Sequence, residues 1–294
     1  MEIRRLLTVI FFLTTSISVA QTSKTIVSGR PGQAIAPVCV GKNVFQVETG
    51  FDISGTSSFP SEIYFAKPGL YTNRSQTYLN ATLLRFGLGE KVEMHSGWEF
   101  RNDDYSLVDS LGVTQNSSVS GISFSSVGWR HTIMEGDGLI PSLAYQFSMK
   151  LNILTEEYKL NQIAPNINVA ASSDITDNLT ITINMGADWD GENPRQTAFY
   201  IFNVGYSLGD KFGIFVENYG SFDKKELLDM KYDGGMAFLI NNDLQLDLLG
   251  GYGTYSGTTS WFASLGISWR VNFSEEEKKK TEPAETEIMP PPQM

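Results

Sequence analysis

The histidine, cysteine and serine residues of this sequence do not occur in the spacings that hydrolytic or metal chemistry requires. The chain has two histidines, His95 and His131, and one cysteine, Cys39. It contains no HExxH, CxxC, P-loop or GxSxG motif. Ser96 follows His95, but consecutive side chains of a strand point to opposite faces, so the two cannot form a catalytic pair. We therefore predict no catalytic residue, no metal site, no cofactor and no enzyme activity.

Charged side chains that alternate with apolar ones are better candidates for a function. We expect twelve of them to line the inside of a sheet: Glu48, Arg85, Glu93, His95, Glu99, Arg101, Asp188, Glu217, Lys231, Asp233, Asp247 and Arg270. In a water-filled bore, such charges set the ion preference. They can equally pair across neighbouring strands and fill a narrow lumen with salt bridges. Glu93 and Arg85, for example, lie across a short hairpin where they can neutralise each other.

The segments that carry these charges alternate with a period of two. In the last one, Trp261, Leu265 and Trp269 share a face, and Ser264 and Arg270 lie on the other. A soluble β-sandwich also alternates, so this pattern alone leaves both folds open. The apolar faces are continuous over about ten residues, the length that crosses a bilayer at a tilt, and the tryptophans lie near segment ends, where aromatic girdles occur. These features favour a membrane barrel.

Twelve segments show this character. They are residues 43–52, 76–86, 91–101, 120–131, 139–150, 163–173, 179–189, 196–207, 211–221, 230–240, 243–253 and 260–273. Short turns rich in Gly, Asn and Asp alternate with longer connections, of which 53–75 and 102–119 are the longest. We predict an all-β fold: a transmembrane antiparallel up-and-down β-barrel of about twelve strands, with short periplasmic turns and longer extracellular loops.

The two ends of the chain differ from this pattern. Residues 1–20 have the charged, apolar and small-residue order of a signal peptide. Removing them changes the formal net charge from −11 to −12, and an acidic chain is a poor candidate for binding nucleic acid. Residues 21–42 form a periplasmic N-terminal leader, in which Gly29 to Pro37 either plugs the bore or stays flexible. The barrel spans 43–273, and the charged, Pro-rich residues 274–294 predict a disordered tail.

Several strand-and-turn phrases resemble one known family. They are SGRPGQ…NVFQVETGF, LLRFGLGEKVEMHSGWEF, YSLGDKFGIFVENYG and WFASLGISWRVNF. Together, over roughly Pro31 to Phe273, they resemble the outer-membrane family named for the phenol meta-cleavage degradation pathway, whose members are described as transporters. The resemblance implies uptake of aromatic or other hydrophobic compounds. The last strand, with Trp269 and Phe273, is similar to the signal that the barrel-assembly machinery recognises. Because a tail follows from Ser274, Phe273 either acts as this signal or only closes the barrel.

We therefore expect an outer-membrane channel or transporter in a Gram-negative bacterium, passing small, hydrophobic or aromatic solutes by passive or facilitated diffusion. Its partners are outer-membrane lipid, the assembly machinery during insertion and the solute. The alternatives are a structural or adhesive surface barrel with a closed lumen, and a soluble secreted β-sandwich. A set of aromatic residues either forms a solute path or contacts lipid: Phe45, Tyr64, Phe65, Tyr71, Tyr200, Phe202, Tyr206 and Tyr252.

Overall fold

A computed structural model describes most of the chain after the N-terminal segment. The described residues are 23–58, 70–109, 113–192, 194–222, 229–255 and 258–273. The predicted signal peptide and tail, together with Tyr64 and Phe65, lie outside the described residues. None of the helices in the described ranges has the length and apolar character needed to cross a membrane.

The described residues form twelve β-strands, the number that the alternation predicted. In chain order they are β1 Val44–Ser58, β2 Leu70–Gly87, β3 Val92–Asp109, β4 Thr114–Met134, β5 Ser142–Lys150, β6 Ala164–Thr176, β7 Leu179–Trp189, β8 Gln196–Ser207, β9 Phe212–Phe222, β10 Asp229–Asn241, β11 Leu244–Tyr255 and β12 Thr258–Asn272. Each strand pairs antiparallel with the next, and β1 pairs with β12 from Val44↔Asn272 to Ser58↔Thr258. The sheet is a closed barrel, so the predicted fold class is confirmed.

The two ends of the barrel are built differently. At one end, which we name the turn end, short turns such as that between Asn241 and Leu244 lie beside both barrel termini. At the other, the loop end, the predicted connection 102–119 is wrong, because β3 runs to Asp109 and β4 begins at Thr114. The predicted connection 53–75 is likewise shortened by β1 and β2. Polar residues fill these extensions, and strands that leave the bilayer need no apolar face, so alternation does not reveal them.

The barrel is apolar outside and polar inside. Leu265 is 62% exposed, Val216 61% and Met185 58%, whereas Ser264 and Ser268 are buried on the inner face. A soluble protein buries its apolar side chains, so this distribution requires lipid around the barrel and excludes the soluble sandwich.

The aromatic residues that were candidates for a solute path follow the same rule. Phe202, Tyr206 and Tyr252 are exposed on the outer face. Lipid contact is therefore the correct alternative for these three, because an outer-face side chain cannot line the bore.

Candidate functional site: the lumen and its leader

The leader lies inside the barrel. At the turn end, the Ile26 amide donates to the Asn242 carbonyl at 2.7 Å. Farther in, the Ile35 amide donates to Asn184 Oδ1 at 2.7 Å, and Asn184 Nδ2 donates to the Ile35 carbonyl at 3.1 Å. The chain then returns to the wall, where the Val40 amide donates to Glu93 Oε2 at 2.8 Å. The plug is thus the alternative that the structure supports for this segment.

Inner-face side chains replace the strand partners that the leader lacks. A buried backbone amide must find a hydrogen-bond acceptor, and this Pro- and Gly-containing segment pairs with no strand. Glu217 accepts from the amides of Gln33 at 2.6 Å and Ala34 at 3.1 Å, and Glu48 accepts from that of Gly29 at 2.9 Å. A Cβ atom at Gly32 would meet the Glu217 carboxylate, so a larger residue there would push this carboxylate away from the amides of Gln33 and Ala34.

The leader also buries the single thiol. Cys39 is 5% exposed, and its Sγ lies 3.6 Å from the Arg130 carbonyl and 3.5 Å from Thr132 Oγ1. Burial raises the pKa of the Cys39 thiol, with a smaller contribution from the Glu93 carboxylate. The folded protein therefore holds this thiol protonated and unreactive.

Four charged side chains on the adjacent strands β1 to β4 lie beside the leader near the turn end, and we name Glu48, Arg85, Glu93 and Arg130 the sealing cluster. Arg85 Nη1 lies 2.8 Å from Glu48 Oε1, and its Nε lies 2.9 Å from Glu93 Oε1. Arg130 Nη1 is 3.7 Å from the same Glu93 oxygen. All four side chains are at most 2% exposed. The predicted alternatives for Glu48, Arg85 and Glu93 were ion selection and salt-bridge pairing, and here they pair.

Both arginines of the sealing cluster also donate to leader carbonyls. Arg85 reaches the carbonyls of Val27 at 2.9 Å and Val38 at 3.3 Å. Arg130 reaches that of Ala36 at 3.2 Å and that of Val38 at 3.4 Å. The cluster therefore joins wall and leader into one buried network.

Other predicted inner-face residues hold the leader elsewhere or pair along the wall. Arg270 binds Asp243 at 2.7 Å and the carbonyls of Lys24 and Thr25 at 3.1 Å. Asp188 pairs with Lys150 at 2.9 Å, and Arg101 lies 3.5 Å from Glu99.

Three further predicted residues, Asp247, Lys231 and Asp233, lie on strands β10 and β11. Asp247 pairs with Arg30 at 3.2 Å, while Lys231 lines a cavity beside the same arginine. Asp233 stands directly opposite Glu217.

His95 and Ser96 point to different sides, as strand geometry requires. His95 Nε2 lies 2.9 Å from Ser148 Oγ inside the barrel, and Ser96 Oγ donates to the Ser126 carbonyl at 3.0 Å. In the parts of the chain that the structure describes, no group of three or more His, Cys, Asp or Glu side chains could hold a metal ion.

Sequence reasoning missed two important cations, Arg30 and Arg130. Arg130 lies on a strand, and the order Ser126, Gly128, Arg130, Thr132 would have revealed its inward phase. Arg30 lies in the leader, where no periodicity exists. Its Nη2 donates to Ser264 Oγ at 2.6 Å, a contact that only the folded chain creates.

Two adjoining cavities lie between the leader and the loop end. The outer cavity, of about 510 Å³, is bordered by apolar side chains that include Leu79, Leu249 and Phe262. The inner cavity, of about 260 Å³, is bordered by Leu83, Phe124 and Ile35 and reaches two members of the sealing cluster, Glu48 and Arg130. Five residues border both cavities: Arg30, Gly32, Gln33, Ala81 and Glu99. The two cavities therefore adjoin, and together they form a hollow whose inner part borders the sealing cluster.

The fold is similar to that of solved outer-membrane proteins. The crystal structure of an outer-membrane channel from Pseudomonas putida F1 matches with a TM-score of 0.58 and 8% identity, over 84% of this chain and 100% of that chain. The NanC porin matches with a TM-score of 0.45 and 12% identity, over 75% of this chain and 100% of its own. The CymD monoaromatic hydrocarbon channel matches with a TM-score of 0.42 and 10% identity, over 79% of this chain and 89% of its own. The last two scores are too low to support a structural argument.

No match is found among curated protein sequences. The closed barrel, its apolar outer face and the fold shared with the P. putida channel make this chain a barrel of the bacterial outer membrane, as predicted. One family's sequence pattern matches residues 28–271, from the leader through β12. The chain therefore belongs to the family described as "Putative MetA-pathway of phenol degradation".

Proposed function

We propose that this protein is an outer-membrane channel that admits small hydrophobic or aromatic solutes from the loop end and passes them by passive or facilitated diffusion. The observation that carries the proposal is the hollow formed by the two cavities, which reaches from the outer part of the lumen to the sealing cluster. The walls combine apolar side chains such as Leu79 and Phe262 with charged and polar ones such as Asp52 and Ser264, so they offer contacts both to an apolar ring and to a polar substituent. The family's link to phenol degradation supports an aromatic solute.

Passage through this channel requires the leader to move. The sealing cluster is buried and bonded to leader carbonyls, so a solute that reaches the end of the inner cavity meets this bonded network of wall and leader. We propose that the leader at residues 21–42 is a periplasmic plug, and that solute passes when the plug leaves its docked position.

A reversible covalent lock tests this mechanism. Ser28 Oγ in the leader lies 2.6 Å from Ser268 Oγ in the wall, so a cysteine pair at these positions suits disulfide geometry. The variant is S28C/S268C in a Cys39→Ser background, and Cys39→Ser alone is the matched control. In proteoliposomes we expect uptake of a small aromatic solute by the reduced variant, loss of uptake on oxidation and recovery on reduction. Equal uptake in both redox states would refute a moving plug.

A second candidate is a structural or adhesive barrel with a closed lumen. The buried sealing cluster favours it, since a permanent seal needs the same salt bridges. In that case the reduced variant, the oxidised variant and the control all insert but pass no solute.

Two further proposals concern assembly and chemistry. We propose that Trp269 and Phe273 form the signal for the barrel-assembly machinery. The alternative role of Phe273, closing the barrel, is supported by its amide, which donates to the Asn43 carbonyl at 3.1 Å. Phe273→Ala should slow insertion in cells while leaving refolding in detergent unchanged if the residue acts as the signal.

We also propose that the protein is not an enzyme, because His95 and Ser148 are both buried away from the hollow.

A further inference from the structure

A further cavity, of about 760 Å³, lies at the loop end, where β1, β3, β4 and β12 leave the barrel wall, and we name it the rim cavity. It adjoins the outer cavity of the hollow, with which it shares Gly55, Thr56 and Trp261, and it extends from them to Asp104 and Asn116. None of the described residues that border it belongs to the leader. The rim cavity is therefore a site separate from the plug.

The rim cavity is built mainly on the outer face of the wall. Trp261 shares the lipid-facing side of β12 with Leu265. Trp261 pairs with Gly55, which pairs in turn with Gln76 on β2. Gln76 pairs with Asp104 on β3. Residues directly opposite each other on neighbouring strands share one face of a sheet, so this row continues the outer face from β12 to β3.

The row lies at the extracellular edge of the lipid band. Trp261 and Trp269 lie on the same face of β12, eight positions apart. With a rise of about 3.4 Å per residue and a tilt of about 40°, they are about 20 Å apart along the membrane normal, close to the roughly 25 Å of the apolar band. Trp269 lies near the turn end, so Trp261 marks the opposite edge, where the lipid headgroups begin.

One wall of the rim cavity is aromatic. A Cβ atom at Gly55 would lie 2.7 Å from Trp261 Nε1 and 2.9 Å from Cε2, so the indole ring packs against the backbone of this glycine. Trp261 is still 44% exposed, which leaves apolar ring surface open. The negative face of an aromatic ring attracts polarised C–H groups, and one side of a sugar ring presents several of them.

The rest of the rim cavity is polar. Apart from Gly55 and Trp261, every described residue that borders it carries a hydroxyl, amide or carboxylate group. Asp104 and Asn116 are exposed, and within the described ranges neither side chain takes part in a hydrogen bond or ion pair. Amides and hydroxyls donate and accept, and a carboxylate accepts. Sugar hydroxyls have both functions and match this set, whereas a purely apolar ligand would leave it unpaired.

We infer that the rim cavity binds a sugar ring, which stacks on Trp261 and places its hydroxyl groups against Asp104 and Asn116. Such rings occur both in the glycolipid headgroups of the outer leaflet and in free oligosaccharides. The level of Trp261 in the membrane suits the glycolipid. Binding at this site is independent of the proposed function, because it requires no movement of the leader.

Calorimetric titration of the refolded mature chain in detergent tests the inference with three probes. They are rough-type lipopolysaccharide, which carries core sugars; lipid A, which lacks them; and the core oligosaccharide released from the same lipopolysaccharide. We expect the lipopolysaccharide to bind about tenfold more tightly than lipid A, since an aromatic contact and a hydrogen bond to a carboxylate together have at least this magnitude.

Substitutions at Trp261 separate the sugar site from general lipid contact. Trp261→Leu should reduce the preference for core sugars about threefold to tenfold, and Trp261→Phe should keep part of it, because the aromatic face remains. Trp129→Leu is the matched control. Trp129 is 43% exposed on the outer face of β4 near the turn end, so its loss should leave the preference unchanged. Heat-modifiable gel mobility verifies that each variant is folded.

The released oligosaccharide distinguishes the two sources of sugar. If it binds and Trp261→Leu weakens that binding, the site also takes free sugars. If only the intact glycolipid shows the preference, the headgroup is the ligand. Equal affinity for lipopolysaccharide and lipid A without binding of the oligosaccharide, or a preference that Trp261→Leu leaves unchanged, would overturn the inference.

Discussion

Replacing Arg85 by methionine should release the leader from the lumen. Arg85 makes five hydrogen bonds: two to Glu93 at 2.9 Å, one to Glu48 at 2.8 Å, and one each to the carbonyls of Val27 at 2.9 Å and Val38 at 3.3 Å. Methionine fills similar space without charge, so both carboxylates stay buried and lose this partner. Removing one member of a buried ion pair costs about 3–5 kcal/mol.

That cost applies only while the leader keeps water away from the carboxylates. Once the leader leaves, water reaches Glu48 and Glu93, so the substitution favours the released state over the docked state. Taking the lower value of about 3 kcal/mol, and about 1.4 kcal/mol for each tenfold change, the released population should rise about a hundredfold.

The buried thiol of Cys39 reports this release. When re-docking is faster than labelling, the rate of maleimide labelling is proportional to the released population. Labelling of Arg85→Met should therefore be about a hundredfold faster than that of the wild type. Lys91→Met is the matched control, because Lys91 lies 3.4 Å from Glu135 in an exposed pair, and such pairs are worth about 0–1 kcal/mol.

A further substitution tests the physical cause. Adding Glu48→Gln to Arg85→Met removes the carboxylate whose arginine partner was Arg85, while Glu93 still lies 3.7 Å from Arg130, so part of the protection of Cys39 should return. If Arg85→Met labels at the wild-type rate, the sealing cluster does not hold the leader and the reasoning is wrong.

Three other predictions concern the membrane face, the thiol and the loop after β5. Leu265→Arg should lower the unfolding free energy in lipid vesicles by about 2–4 kcal/mol. The control Leu88→Arg, in a turn, should lower it by about 0–1 kcal/mol. Equal costs of the two substitutions would contradict the assigned lipid face. Because burial raises the pKa of Cys39, the folded state favours the protonated thiol and loses stability as pH rises past the ordinary thiol pKa. Cys39→Ala should flatten this alkaline decrease of the unfolding free energy. An unchanged slope of unfolding free energy against pH would refute this prediction. Burial and the Asp103 carboxylate, which accepts from Tyr158 Oη at 3.0 Å, raise the pKa of Tyr158 to about 12. The loop should therefore stay docked below the ordinary tyrosine pKa and loosen as pH rises from that value to about 12. Tyr158→Phe should weaken docking by about 1 kcal/mol and speed hydrogen exchange of loop amides, and unchanged exchange would argue against this bond.

The barrel itself follows from local pattern. Trp261 and Leu265 share one face of β12 and Ser264 lies on the other, and this alternation is sufficient to predict which face meets lipid. Turn residues such as Asn241 and Asn242 set the hairpins, because they favour tight turns. Both signals act between near neighbours in the chain, so strand number and sidedness are predictable from sequence alone.

The functional site depends on contacts between distant residues. Ile35 bonds to Asn184, which is 149 positions away, and Arg30 bonds to Ser264, which is 234 positions away. The leader has no periodicity that could predict these partners, and its backbone groups take whichever inner-face acceptors the closed barrel presents. Local pattern is therefore sufficient to predict a barrel with a polar interior. The position of the leader inside it follows from long-range contacts, because burying its unpaired backbone requires acceptors from strands all around the ring.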